Sequence, residues 1–195
     1  PPADPPQPAQ EPGTRPARRT GYGFDTTSWT DTATGRLWFK VVNTGTLGAG
    51  FSAFTVNHRA YAAWHYTVPV GGDASDYFSA LTYGGGKYDV DLHGPDGYLR
   101  GFKGDVRTWS DGAKGHPEAA VTPDPAAPGT LRLALTNGGG APVVFTLSDG
   151  QRATVAAGGG ARLTLTAERD GGYDLTVTAD VGDGFERRFA GRLHA

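Results

Sequence analysis

Apolar and polar positions alternate with a period of two along most of this chain. Tyr88, Val90 and Leu92 alternate with Asp89, Asp91 and His93, Leu131, Leu133 and Leu135 share one parity, and so do Trp64, Tyr66, Val68 and Val70. Successive side chains of a strand point to opposite faces, so this period predicts half-buried antiparallel strands. Leu37 to Val42 is also strand-like, but its apolar neighbours leave the inward face open. Pro69 removes a ladder donor and places the Trp64 strand at an edge or a bulge. Asp73 to Leu81 reads as helix-like or irregular, ended by Gly84, Gly85 and Gly86. Pro95-Asp96-Gly97 is a reverse turn, which makes Gly86 to Gly104 a β-hairpin.

That hairpin occurs twice. Tyr88-Asp89, Gly97, Phe102 and Gly104 have counterparts in Tyr173-Asp174, Gly184, Phe189 and Gly191, the last three at an offset of 87. Upstream, Gly35 to Gly45 matches Gly129 to Gly139, with Asn43 and Asn137 at an offset of 94. A period this long makes each copy a small domain rather than a solenoid unit. Turn signals divide each copy into six or seven short strands, the pattern of an antiparallel β-sandwich. The expected fold is all-β: two tandem small sandwiches, immunoglobulin-like in general architecture, at 21–110 and 115–195, after a Pro-rich linker at 1–20. Seven prolines and no apolar residue larger than Ala in Pro1 to Pro16 give that linker a polyproline-like, semi-rigid character.

Composition narrows the chemistry. There is no Cys, which removes disulfides, thiolate nucleophiles and zinc-thiolate sites. A net charge of −2 gives no basic field for nucleic acid, and no apolar run approaches the roughly 20 residues that span a bilayer. The chain opens Pro-Pro and has no Met, so a further segment is expected upstream.

The string YDVDLHGPDGYLRGFKGD, the strand HYTVPVGG, the linker QEPGTRPAR and the second-copy strings YDLTVT and FERRFAG resemble the C-terminal region of bacterial phospholipases C of the hemolytic and non-hemolytic, phosphocholine-preferring type. The resemblance implies an upstream catalytic domain as partner, an exported parent enzyme, a phosphodiester substrate such as phosphatidylcholine or sphingomyelin, and no catalytic residue in this stretch. The second copy departs from the first in lacking the His-Gly-Pro before its turn.

A search of the residues themselves for a reaction centre finds none. Ser28, Ser52, Ser75, Ser79, Ser110 and Ser148 lie outside any G-x-S-x-G elbow, and His58, His65, His93, His116 and His194 lack metal spacing. Asp73 with Asp76 and Asp89 with Asp91 read as turn and strand-edge carboxylates rather than a calcium loop. No cofactor or metal is expected. Aromatic residues are lopsided: fourteen lie between Arg36 and Trp109, against Phe145, Tyr173, Phe185 and Phe189 after Gly129. Tyr61, Trp64, Tyr77 and Tyr83 are therefore the candidates for contact with a membrane surface, a quaternary ammonium or the upstream domain. The expected function is a non-catalytic accessory segment of a secreted phospholipase C; the alternative is an independent carbohydrate or cell-surface binding module.

Overall fold

A computed structural model describes residues 20–57 and 63–193. The Pro-rich stretch before Thr20, Tyr61, His58 and His194 lie outside the described residues.

The first copy supplies strands β1 (Phe24–Asp31), β2 (Arg36–Asn43), β3 (Ala49–Thr55), β4 (Trp64–Val68), β5 (Asp73–Ser79), β6 (Lys87–His93) and β7 (Leu99–Asp105), with the short helix α1 (Ala80–Gly84). The second copy supplies β8 (Pro117–Pro123), β9 (Thr130–Asn137), β10 (Val143–Leu147), β11 (Arg152–Val155), β12 (Gly160–Thr166), β13 (Gly172–Ala179) and β14 (Glu186–Arg192). All pairings are antiparallel. Register in β2 is settled by burial: Leu37, Phe39 and Val41 face the core, while Arg36, Trp38, Lys40 and Val42 face out. Asp73–Ser79 is a strand, not the helix-like stretch its sequence predicts; cross-strand pairing with β2 outweighs its weak local pattern. β4 ends its sheet, as Pro69 requires.

Three-stranded sheets β1-β2-β5 and β12-β9-β8 face one long sheet of order β11-β10-β13-β14-β7-β6-β3-β4. Each copy has its own apolar core, one around Leu37, Phe39, Phe51, Val90 and Phe102 and the other around Leu133, Leu135, Phe145, Val177 and Phe189. The antiparallel sandwich agrees with the sequence pattern. Fusion of the two large sheets into one does not follow from that pattern, because β7 and β14 pair across copies and no local signal marks a partner 87 residues away.

That seam is two-fold symmetric. Gly101 lies opposite Arg188, which is its own counterpart at the offset of 87, so each copy meets the other through the same residues. Arg100 donates to Leu99 O (2.8 Å), Ala190 O (3.0 Å) and the Tyr173 hydroxyl (3.0 Å). Its counterpart Arg187 donates to Glu186 O (2.9 Å), Lys103 O (3.0 Å) and the Tyr88 hydroxyl (3.1 Å). Arg100 lies 4.0 Å over the Tyr98 ring and Arg187 lies 4.4 Å over Phe185, so each guanidinium also has a cation–π partner. Both arginines are buried.

The two Tyr rings are admitted by glycines. A Cβ on Gly104 would come within 2.6 Å of the Tyr88 hydroxyl oxygen, and one on Gly191 within 2.8 Å of that of Tyr173. This close approach explains why Tyr and the closing Gly recur together in both hairpins.

Symmetry fails at one atom. Glu118 holds Arg187 through Nε (2.7 Å) and Nη2 (2.9 Å). The register that matches Phe24 to Pro117, both opposite the buried asparagines, puts Asp25 at the place of Glu118 with one methylene fewer. Arg100 Nε is left without a partner among the described residues. Burial holds the Asp25 carboxyl above the usual carboxylate range, against the pull of Arg100. A native carboxyl with a raised pKa binds its proton more tightly than the unfolded chain does. Its contribution to stability is therefore fully present below the unfolded pKa and declines as pH rises through the folded one. Asp25→Glu should restore the missing bond and raise stability at pH 7 by about 1 kcal/mol, read by urea denaturation. An unchanged midpoint would refute the equivalence of the two pairs.

Candidate functional site

The outer face of β1-β2-β5 carries an aromatic row. Trp29 lies opposite Trp38, and Trp38 opposite Tyr77, so three adjacent strands present one ring each at one level. The indoles of Trp29 and Trp38 are parallel within 3°, with centroids 5.8 Å apart, and Trp38 meets Tyr77 at 4.7 Å. The Arg36 guanidinium lies 4.1 Å over Tyr77. Trp29 is 42% exposed. Cross-strand rings of this kind stabilise a sheet by roughly 0.2–1 kcal/mol per pair, which does not require leaving an indole in water.

The second copy shows that the fold does not need them. Its equivalent row, fixed by the same spacing to Asn137 that the first row has to Asn43, reads Thr122, Arg132 and Thr164. There Arg132 is tied to Asp124 at 2.6 Å. The same sandwich level is thus polar in one copy and aromatic in the other.

The row sits beside the β1–β2 turn. Leu81 of α1 donates its N–H to Gly35 O in that turn (3.2 Å), and Leu81 and Tyr83 are about half exposed. Of the candidates predicted from sequence, Tyr77 joins the row. Tyr83 leans on Phe78 with centroids 6.1 Å apart, and Trp64 meets the same Phe78 edge-on at 6.4 Å, packing against the core. These three do not form one cluster, and Tyr61 falls outside the described residues. Trp29 and Trp38 were not among the candidates. The signal for them was the hairpin itself: extending β1 to the turn at Thr34-Gly35 puts the two tryptophans opposite each other.

Several of the polar groups have structural partners. Ser52 Oγ meets His65 Nδ1 at 2.9 Å on the outer face of the long sheet. Asp73 pairs with Lys40 (3.1 Å), Asp76 accepts from the Tyr66 hydroxyl (2.8 Å), and Asp89 accepts from Asn57 Nδ2 (3.1 Å). Burial, with Asp76 as acceptor, raises the Tyr66 phenol above its ordinary range. Among the described residues no three His, Asp or Glu side chains converge as a metal site, and no helix is long and apolar enough to cross a membrane.

The family model described as bacterial phospholipase C, C-terminal domain, matches residues 16–105 and again 117–192. A non-hemolytic phospholipase C of Pseudomonas aeruginosa is 34% identical over 99% of this chain, and one of Burkholderia pseudomallei is 33% identical over 99%. A hemolytic phospholipase C of Pseudomonas aeruginosa is 29% identical over 72%. The chain spans 29%, 28% and 21% of the lengths of these relatives. Among solved structures, red sea bream transglutaminase aligns over 85% of this chain and 30% of its own, at 16% identity and a TM-score of 0.29. On the two family matches and the identity to two relatives over nearly the whole of this chain, it belongs to the bacterial phospholipase C C-terminal domain family, of which it carries two copies.

Proposed function

We propose that this chain is the non-catalytic accessory part of an exported bacterial phospholipase C, with phosphodiester hydrolysis carried by the region upstream. In this reading the row of Trp29, Trp38 and Tyr77, together with Leu81 and Tyr83, is the face that meets a lipid surface. The observation that carries the assignment is the contrast at equivalent positions, aromatic in the first copy and Thr122, Arg132, Thr164 in the second. Aromatic side chains with a polar edge are favoured at the boundary between headgroups and acyl chains. A sugar platform needs open ring faces, whereas Trp38 is flanked by rings on both sides and Tyr77 carries Arg36.

Co-sedimentation with phosphatidylcholine vesicles tests the reading. The chain should bind, and Trp29→Ala with Trp38→Ala together should weaken binding by about a hundredfold or more, at roughly 1.5 kcal/mol or more for each large side chain withdrawn from apolar contact. Trp109→Phe, which alters a ring packed against the second core, should leave binding unchanged. Equal vesicle binding by parent and double variant, or binding to glycans but not to vesicles, would overturn the assignment.

A further inference from the structure

A guanidinium stands inside the exposed aromatic face. The outward-facing residues of β2 follow one another as Arg36, Trp38 and Lys40, and the register across β1 and β5 places Arg36 level with Asp31 and Ser79. The row of Trp29, Trp38 and Tyr77 lies on one side of it, and the β1–β2 turn, with Leu81 bonded to Gly35, lies on the other. The guanidinium itself lies 4.1 Å over the Tyr77 ring. Stacking uses the flat face of this planar group and leaves its N–H edge open to a bidentate acceptor.

The neighbouring carboxylates are engaged elsewhere. Asp31 accepts from the Thr34 hydroxyl (2.6 Å) and from the N–H groups of Thr34 (3.3 Å) and Ala33 (3.0 Å), which hold its carboxyl below the ordinary range. Asp73 is paired with Lys40. Arg36 leans across β2 toward Tyr77, away from Asp31, and among the described residues it has no carboxylate or hydrogen-bond partner. The second copy treats the same face differently. Thr130 stands at the place of Arg36, and Arg132, at the place of Trp38, is neutralised by Asp124, the counterpart of Asp31.

We infer that Arg36 is the phosphate-binding group of this face: as the rings enter a lipid surface, its N–H edge takes the phosphodiester of a headgroup. The inference rests on the lipid-facing reading of the aromatic row and adds the chemistry that the row selects. A cation with rings on one side and an apolar side chain on the other loses part of its water shell when they enter the interface, and it then needs an anion at the same depth. Indoles settle at the headgroup level, where phosphate oxygens are found. A guanidinium matches two of those oxygens with parallel N–H···O bonds, which a compact ammonium does not.

Co-sedimentation of the full chain with two kinds of vesicle tests the inference. Phosphatidylcholine carries the phosphodiester, whereas digalactosyldiacylglycerol forms an uncharged bilayer without phosphate. The chain should bind phosphatidylcholine about tenfold more tightly, the factor expected from a hydrogen bond to a charged group. Arg36→Gln should bind both vesicles alike, at the parent's strength on the phosphate-free one, so that the face is seen to be intact. Arg36→Lys should keep only part of the preference, since it retains the charge and not the fork. Arg132→Gln removes the same charge from the second copy and should keep the whole preference. Equal binding of the two vesicles by the parent, a preference that survives Arg36→Gln or is lost in Arg132→Gln, or a loss by Arg36→Gln on both vesicles alike would overturn the phosphate contact while leaving the lipid-facing row in place. Binding of the parent to neither vesicle would remove the lipid-facing reading and this inference with it.

Discussion

Arg187→Met should cost about 3–5 kcal/mol of unfolding free energy, the range expected when one partner of a buried ion pair is removed. The arginine has no exposed side-chain surface, and its charge is opposed by burial yet held above the ordinary range by Glu118 and Tyr88. Its removal strands the Glu118 carboxylate, the Tyr88 hydroxyl and the carbonyls of Lys103 and Glu186. Arg188→Met provides the contrast, because Arg188 and Asp174 are paired at 2.7 Å but about half exposed, and such pairs contribute about 0–1 kcal/mol. Urea denaturation of both variants reads the difference. Adding Glu118→Leu to Arg187→Met should recover part of the loss by removing the stranded charge. If Arg187→Met loses no more than Arg188→Met, the seam is not held by this guanidinium.

Asn137→Ala should cost about 3 kcal/mol or more, since several buried groups lose their partner together and each costs roughly 1–3 kcal/mol. The Asn137 amide donates to the carbonyls of Ala141, Val155 and Ala156, and its oxygen accepts from the backbone N–H groups of Gly139 and His116. One side chain thus ties the end of β9 to the chain before β8, to the loop before β10 and to the end of β11. Asn43 does the same with fewer bonds, to Leu47 O, Val68 O and the Gly45 N–H. Asn43→Ala should therefore cost less than Asn137→Ala. Equal and small losses in denaturation would mean that the surrounding loops satisfy themselves without the amide.

These two residues show what can be read from a sequence and what cannot. Asn43 and Asn137 are visible as a repeat match, and the strands before them as alternation, because both are local regularities. Their clamping role is not visible, since the carbonyls they hold come from elements up to 25 residues away. Arg100 and Arg187 are harder still. In the sequence each shares the parity of buried aromatic neighbours, Tyr98 and Phe102 or Phe185 and Phe189, yet no local signal names a partner for a charge on that face; the pairing of β7 with β14 supplies it. The aromatic excess of the first copy was legible as a count, but its geometry was not. Trp29 and Trp38 face each other only once the full length of β1 is known. Tyr83 is indeed half exposed, while Trp64 is drawn onto Phe78 at the edge of the core.

The two-fold seam has a consequence for how the copies can diverge. In a homodimer built through the same edge, every substitution appears on both sides of the axis, so a shortened carboxylate or an exposed row of indoles would be installed twice. Joining the copies in one chain removes that obligation and replaces a bimolecular encounter with a tethered one. One half can then keep the tight Glu118–Arg187 lock that holds the pair together. The other is free to carry Asp25, an unpartnered guanidinium nitrogen and a surface of tryptophan. Duplication at this edge lets a single seam support two different faces.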